Sequence, residues 1–147
     1  MGGRGSASTN QYGGYSKAKY EQRLKTLNEF GEYHYHATTA AGIAGMQKTG
    51  GINPSRGHMG NEVYMAKTEQ AAKDWTETST GGKVVVRVKN TYLAKTDYMD
   101  FDRDKNGEGS TERRIPNSVV QVKAANGNWY PIDVVQVRNG RVIHSRF

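Results

Sequence analysis

The stretch GEYHYHATTAAGIAGMQKTGGINPS, residues 31–55, decides the fold of this chain. Residues 33–37 show short aromatic alternation, which predicts a β-strand. Thr38 or Thr39 can cap a following short helix, and Gly50 with Gly51 is placed to end it. The stretch therefore predicts a strand that turns directly into a helix, with His36 at the corner.

The predicted strand carries two histidines, His34 and His36, whose side chains point to the same face because they lie two residues apart. Such a pair can bind a metal, but a stable site needs a third or fourth ligand. His58 and His144 have no ligand-like spacing to the pair. We therefore expect one functional and one incidental histidine, and no metal.

Upstream of this stretch, the glycine-rich residues 1–15 predict a flexible lead to a single domain over residues 16–147. Ser16 can cap a helix that runs to about Phe30. We expect this helix to serve as scaffold.

Downstream, the sequence predicts a loop over residues 52–60, a strand over 62–66 and a helix capped by Thr68. The valine run at residues 83–89 predicts a strand buried on both faces. Residues 91–111 predict one long loop. Further strands are predicted over residues 117–123, 129–137 and 141–147, with Asn139-Gly140 as a hairpin turn. Helices that precede most of the strands indicate an α+β fold.

Composition limits the classes of function. The 21 Lys and Arg against 14 Asp and Glu give a net charge of +7, which favours an anionic partner. With no cysteine, the chain has no thiolate nucleophile and no cysteine-ligated zinc. No run of eighteen apolar residues is present and the start lacks an apolar signal region, so we expect no membrane span and no signal peptide.

A calcium-loop pattern begins at Asp102 and continues through Asp104, Asn106 and Gly107. The pattern requires a bidentate glutamate at its twelfth position, which is Arg113 here. The segment that follows is predicted as a strand and not as the exiting helix of a calcium-binding motif. We therefore expect an acidic turn without calcium.

Three short motifs in order resemble an established enzyme family: YHATT at residues 35–39, GGINPS at 50–55 and GNEVYMA at 60–66. They resemble the opening of ADP-ribosyltransferases with a His-Tyr-Glu or His-Tyr-Asp signature, the diphtheria-toxin and poly(ADP-ribose)-polymerase type. The bacterial polymorphic-toxin domains of this group are particularly similar. The resemblance covers about a third of the chain and implies a split, strongly bent β-sheet with N-terminal helices.

The resemblance also implies roles for individual residues. His36 would bind the adenosine ribose of NAD, with Thr38 completing the motif, and the backbone of Ala37 would hold the nicotinamide amide. A second register would give the histidine role to His34. Tyr64 would stack on the nicotinamide ring. A carboxylate would face the nicotinamide ribose, and Glu112 is the best match, with Asp100, Asp102 and Asp133 as alternatives.

The implied activity is mono-ADP-ribosyl transfer from NAD, without a metal, to a macromolecule. The net charge favours RNA or an RNA-bound protein as acceptor. The resemblance further implies a monomeric C-terminal effector of a larger secreted toxin that acts in the cytoplasm of a target cell, with a cognate immunity protein in the producer. The alternatives from other classes are a metal-free RNA-cleaving toxin and a noncatalytic basic binding module.

Overall fold

The computed structural model describes residues 11–57, 60–75, 83–102 and 107–144. Its helices are α1 (Lys17–Leu27), α2 (Ala40–Thr49), α3 (Glu69–Trp75) and α4 (Asn90–Leu93), with 3-10 turns at Asn28–Phe30, Asn117–Val119 and Ile132–Val134. Its strands are β1 (Tyr33–Thr38), β2 (Gly51–Ile52), β3 (Ser55–Gly57), β4 (Gly60–Met65), β5 (Val84–Lys89), β6 (Met99–Asp102), β7 (Glu108–Thr111), β8 (Ile115–Pro116), β9 (Val120–Lys123), β10 (Trp129–Pro131), β11 (Gln136–Arg138) and β12 (Arg141–Ile143).

These elements form an α+β fold built on two four-stranded antiparallel sheets. The first sheet has the order β1-β5-β9-β10 and the second has the order β3-β4-β7-β6. Two short pairs, β2-β8 and β11-β12, complete the pairing among the described strands. The two large sheets meet at one isolated antiparallel bridge between Tyr35 and Ala66.

The inner face of the first sheet contributes to the main hydrophobic core. Val86 and Val88 of β5 pack there with Ile43 and Met46 of α2 and with Leu27 of α1. Val85 points to the opposite face and joins a small cluster under α3. The valine strand is therefore buried on both faces over this part, as its sequence predicts.

The predicted starts of α1 and α2 and the predicted end of α2 are confirmed, whereas α1 ends at Leu27 and a 3-10 turn continues to Phe30. The Ser16 hydroxyl accepts the Lys19 backbone N–H at 3.1 Å, and the Thr39 hydroxyl accepts the Gly42 N–H at 3.1 Å. Gly50 ends α2 with a φ of 91°, a left-handed conformation that glycine adopts without strain. At the hairpin, Asn139 and Gly140 both have positive φ, as a two-residue turn requires.

Three predictions of local structure are wrong. Residues 91–111 are not one loop, because they contain α4, β6 and β7 on either side of the segment 103–106, which lies outside the described residues. Within residues 52–60, predicted as loop, β2 and β3 find partners in β8 and β4. The long strands predicted over residues 117–123 and 129–137 each contain a 3-10 turn.

Candidate functional site

The first candidate site lies where β1 and β4 separate. Tyr35 of β1 and Ala66, which directly follows β4, exchange two backbone hydrogen bonds, each 2.8 Å long, and these are the only backbone bonds between the two segments among the described residues. Backbone groups two residues apart on a strand point to the same side. The backbone N–H and C=O groups of Ala37 and Tyr64 therefore point toward the gap that opens between the two strands beyond this bridge.

In a continuous sheet, Ala37 and Tyr64 would be the next hydrogen-bonded pair. The His36 side chain replaces this pairing, because its Nδ1 lies 2.7 Å from the Tyr64 carbonyl oxygen. Ala37 faces Val85 of β5 only as a non-hydrogen-bonded partner. Within the described part of the chain, the Ala37 N–H and C=O thus have no ladder partner at the gap.

The protonation of His36 follows from this contact. A carbonyl oxygen only accepts, so Nδ1 carries the proton and donates it to Tyr64. Burial lowers the pKa of the His36 imidazole, while the bond to Tyr64 opposes this shift more weakly. The ring is consequently neutral at pH 7, and its Nε2 lone pair can accept a hydrogen bond.

Tyr64 lies on β4 with its side chain 6% exposed. Its hydroxyl donates to the Gly60 carbonyl at 3.0 Å, and its ring meets the edge of Phe101 with 6.4 Å between centroids. Phe101 is itself exposed. The Tyr64 ring is therefore held in place beside a second aromatic ring near the protein surface.

Thr38, the third residue of the predicted histidine motif, ends β1 and lies against α2. A Cβ added to Gly42 would come within 2.0 Å of the Thr38 hydroxyl oxygen. This close approach requires glycine at position 42 and brings the first turn of α2 against the corner after His36. Thr39 and not Thr38 caps that helix.

Glu112 directly follows β7, which pairs with β4. Tyr64 is opposite Ser110, so Glu112 lies two residues, about 7 Å of strand, beyond the partner of Tyr64. Its side chain is exposed. Its backbone N–H donates to Asp97 Oδ2 at 3.2 Å, which fixes the main chain at this position.

The three alternative aspartates differ in their surroundings. The Asp100 side chain on β6 is 7% exposed, with Oδ1 3.3 Å from His34 Nε2 and Oδ2 3.5 Å from Lys67 Nζ. Asp133 is exposed and accepts from Asn117 Nδ2 at 3.3 Å. Asp102 is paired with Glu108 at the end of β6. The Asp100 carboxylate thus contacts two neighbouring side chains, and that of Asp133 contacts one.

His34, which the preferred register of the motif leaves without a role, is fully buried. Its Nδ1 lies 2.6 Å from Asn90 Oδ1, and its Nε2 faces Asp100. The Asn90 amide group donates in turn to the carbonyls of Leu27 and Gly31. Sequence reasoning missed this network, whose only local signal is a histidine flanked by aromatic residues on a strand.

A second contact that the sequence did not indicate lies beside Tyr64. The Ser110 hydroxyl donates to Glu62 Oε1 across the β4-β7 pair. Glu62 and Tyr64 share one face of β4, because they lie two residues apart. Glu62 is therefore a further carboxylate on the face that carries the Tyr64 ring.

The described residues contain no group of three or more His, Cys, Asp and Glu side chains able to hold a metal. Asp104, Asn106 and His58 lie outside the described residues. Among the described helices, none is long and apolar enough to cross a membrane.

The calcium pattern breaks at Arg113, and the NAD cleavage that the motif resemblance implies needs no metal, so we expect any release of nicotinamide from NAD to be independent of metals. Nicotinamide release should therefore be equal, within error, after dialysis against EDTA and after addition of calcium. A loss of release in EDTA that calcium restores would contradict this expectation, and would identify Asp102, Asp104 and Asn106 as ligands.

No protein-family model, curated protein or solved structure matches this chain at a significant level.

Proposed function

We propose that this chain is an NAD-dependent mono-ADP-ribosyltransferase. The observation that carries the proposal is the gap between β1 and β4, where the Ala37 backbone has no ladder partner and His36 presents an acceptor nitrogen beside Tyr64. A carboxamide is complementary to a free N–H and C=O of one residue. The gap therefore suits the nicotinamide end of NAD.

In this proposal the Ala37 N–H donates to the nicotinamide carbonyl oxygen, and the Ala37 C=O accepts from the amide nitrogen. The Tyr64 ring stacks on nicotinamide, as aromatic rings do on planar groups. His36 Nε2 accepts a hydrogen bond from a hydroxyl of the adenosine ribose, and Thr38 completes the motif at the end of β1. The pairing of β1 with β5 and of β4 with β7 fixes the main chain at Ala37 and Tyr64, which supports this arrangement.

Cleavage of the N-glycosidic bond builds positive charge on the nicotinamide ribose as nicotinamide leaves. A fixed carboxylate stabilises this transition state electrostatically. We assign that carboxylate to Glu112, which follows the strand paired with that of Tyr64. An acceptor nucleophile then forms the new bond to the ribose carbon and loses its proton.

On this proposal the sheets correspond to the split, bent sheet of ADP-ribosyltransferases, with α1 and α2 as the N-terminal helices. The acceptor is a macromolecule, and the net charge of +7 favours RNA or an RNA-bound protein. We further propose that the chain is the monomeric effector of a secreted toxin that acts in a target cytoplasm and is neutralised by an immunity protein.

The proposal predicts that His36→Ala weakens NAD binding about tenfold, because one hydrogen bond from a ribose hydroxyl is lost. Tyr64→Phe should retain most of the nicotinamide release, whereas Tyr64→Ala should lose it, because stacking needs only the ring. Nicotinamide release from labelled NAD and calorimetric NAD titration measure both effects.

His144→Ala is the matched control. This histidine is half-buried and stacks on Tyr130, and neither residue belongs to β1 or β4. Equal losses in the His36 and His144 variants would refute the assignment. RNA shortened without NAD, with no nicotinamide released, would replace the transferase by a ribonuclease. If neither nicotinamide release nor RNA cleavage is observed, the noncatalytic binding module is the remaining alternative.

A further inference from the structure

The outer face of the first sheet carries aromatic and basic side chains in neighbouring positions. Strand register places Tyr35 opposite Arg87, Arg87 opposite Gln121, and Trp129 opposite Lys123. Directly opposed residues point to the same face of a sheet. All five side chains are half-buried, so each one still reaches solvent.

Arg87 lies at the centre of this face. Its guanidinium carbon is 3.9 Å from the centroid of the Tyr33 ring and 4.3 Å from that of Trp129. Its Nε donates to Gln121 Oε1 at 2.8 Å. The guanidinium is thus held by two rings and one amide, while its terminal nitrogens form no hydrogen bond with any described residue.

A cavity of about 310 Å³ adjoins Arg87 at one end of the face. Lys89 adds a second cation to its lining, and Thr91, Tyr92 and Ser118 add hydroxyl groups. Lys89 is exposed at the end of β5. The aromatic face therefore continues into a groove that contains two cationic side chains and these hydroxyl groups.

At the opposite end, α3 covers the face through Ala72, which packs on Ala37 and Val85. Lys123 Nζ bonds Glu69 Oε2 of this helix at 2.9 Å and lies 5.9 Å from the Trp129 centroid. Glu69 therefore neutralises one cation, while Arg87 and Lys89 have no acidic partner among the described residues. The face retains a net positive charge.

We infer that this face, defined by Tyr33, Tyr35, Arg87, Lys89, Lys123 and Trp129, binds single-stranded RNA. Unpaired bases stack on aromatic rings and on guanidinium planes, and lysine and arginine attract the phosphates. The hydroxyl groups of the groove are suited to the ribose 2′-OH, which distinguishes RNA from DNA. The inference rests on this face alone and stands apart from the transferase chemistry.

The test is fluorescence anisotropy of the full chain with a labelled, unstructured RNA of about 12 nucleotides, without NAD. Trp129→Ala should weaken binding about tenfold, because one stacking platform is removed. Lys89→Ala should lower the slope of log affinity against log salt by about 0.7, the value for one phosphate contact on a single strand. Duplex RNA and DNA of the same sequence should bind more weakly.

Phe30→Ala and Lys48→Ala are matched controls, since both residues are exposed on other elements, and both variants should bind like the wild type. Thermal unfolding establishes that each variant is folded. If Trp129→Ala does not fold, the salt dependence of RNA binding by Lys89→Ala, a variant at an exposed position, tests the inference. Binding unchanged by Lys89→Ala, or equal affinity for duplex or DNA, would overturn the inference.

Discussion

Glu112→Gln is expected to lower the turnover of nicotinamide release on the order of 100- to 1000-fold while NAD still binds. The substitution removes a charge that interacts with the ribose only as positive charge develops there, so turnover falls more than ground-state affinity. The fold should be unaffected, because the side chain is exposed. The backbone is fixed by Asp97, which accepts the N–H of residue 112 and the hydroxyl of Thr111.

Single-turnover kinetics and NAD titration of the same preparation separate the two effects. Glu21→Gln is the control, since it removes an equally exposed carboxylate from α1. Near-normal turnover in Glu112→Gln, with a collapse in a variant of Asp100, Asp102 or Asp133, would move the carboxylate to that aspartate. The same result with Glu62→Gln would assign the role to the carboxylate beside Tyr64.

The sequence predicted those features of the fold that depend on interactions between residues close together in the chain. Ser16 and Thr39 cap helices through bonds to residues three positions on, and Gly50 ends α2 by its own conformation. The continuous valine run of β5 predicts its burial on both faces. Each of these features is set by a side chain and its immediate neighbours, so the sequence is sufficient to predict it.

Pairing over long distances could not be predicted in the same way. β7, with the sequence EGST, has acidic and small residues in place of alternating apolar ones, and it becomes a strand because β4, some 45 residues earlier, and β6 pair with it. The unpaired Ala37 backbone likewise depends on where β4 separates from β1. The sequence motifs indicated His36 and Tyr64, but only the fold relates them through a hydrogen bond.

The two histidines of β1 show the same division between local and distant causes. Their spacing predicts a shared face, and it gives no sign that one is buried and the other borders a gap. His34 is distinguished by Asn90 and Asp100, which lie 56 and 66 residues away. Because three acceptors surround the Asn90 amide nitrogen, its oxygen must face His34. His34 therefore connects β1 to α4 and β6.

His34→Ala is accordingly expected to lower the free energy of unfolding by about 3 kcal/mol, because it leaves a cavity and removes the ring whose Nδ1 contacts Asn90 Oδ1 and whose Nε2 contacts Asp100. For a domain of this size the melting temperature should fall by about 10 °C. Nicotinamide release per folded molecule, measured well below that temperature, should stay close to the wild-type value, since the residue contacts no proposed substrate group. His144→Ala should melt within a few degrees of the wild type. A His34 variant that melts normally but has lost NAD binding would give this histidine the role assigned to His36, and would require the alternative register of the motif.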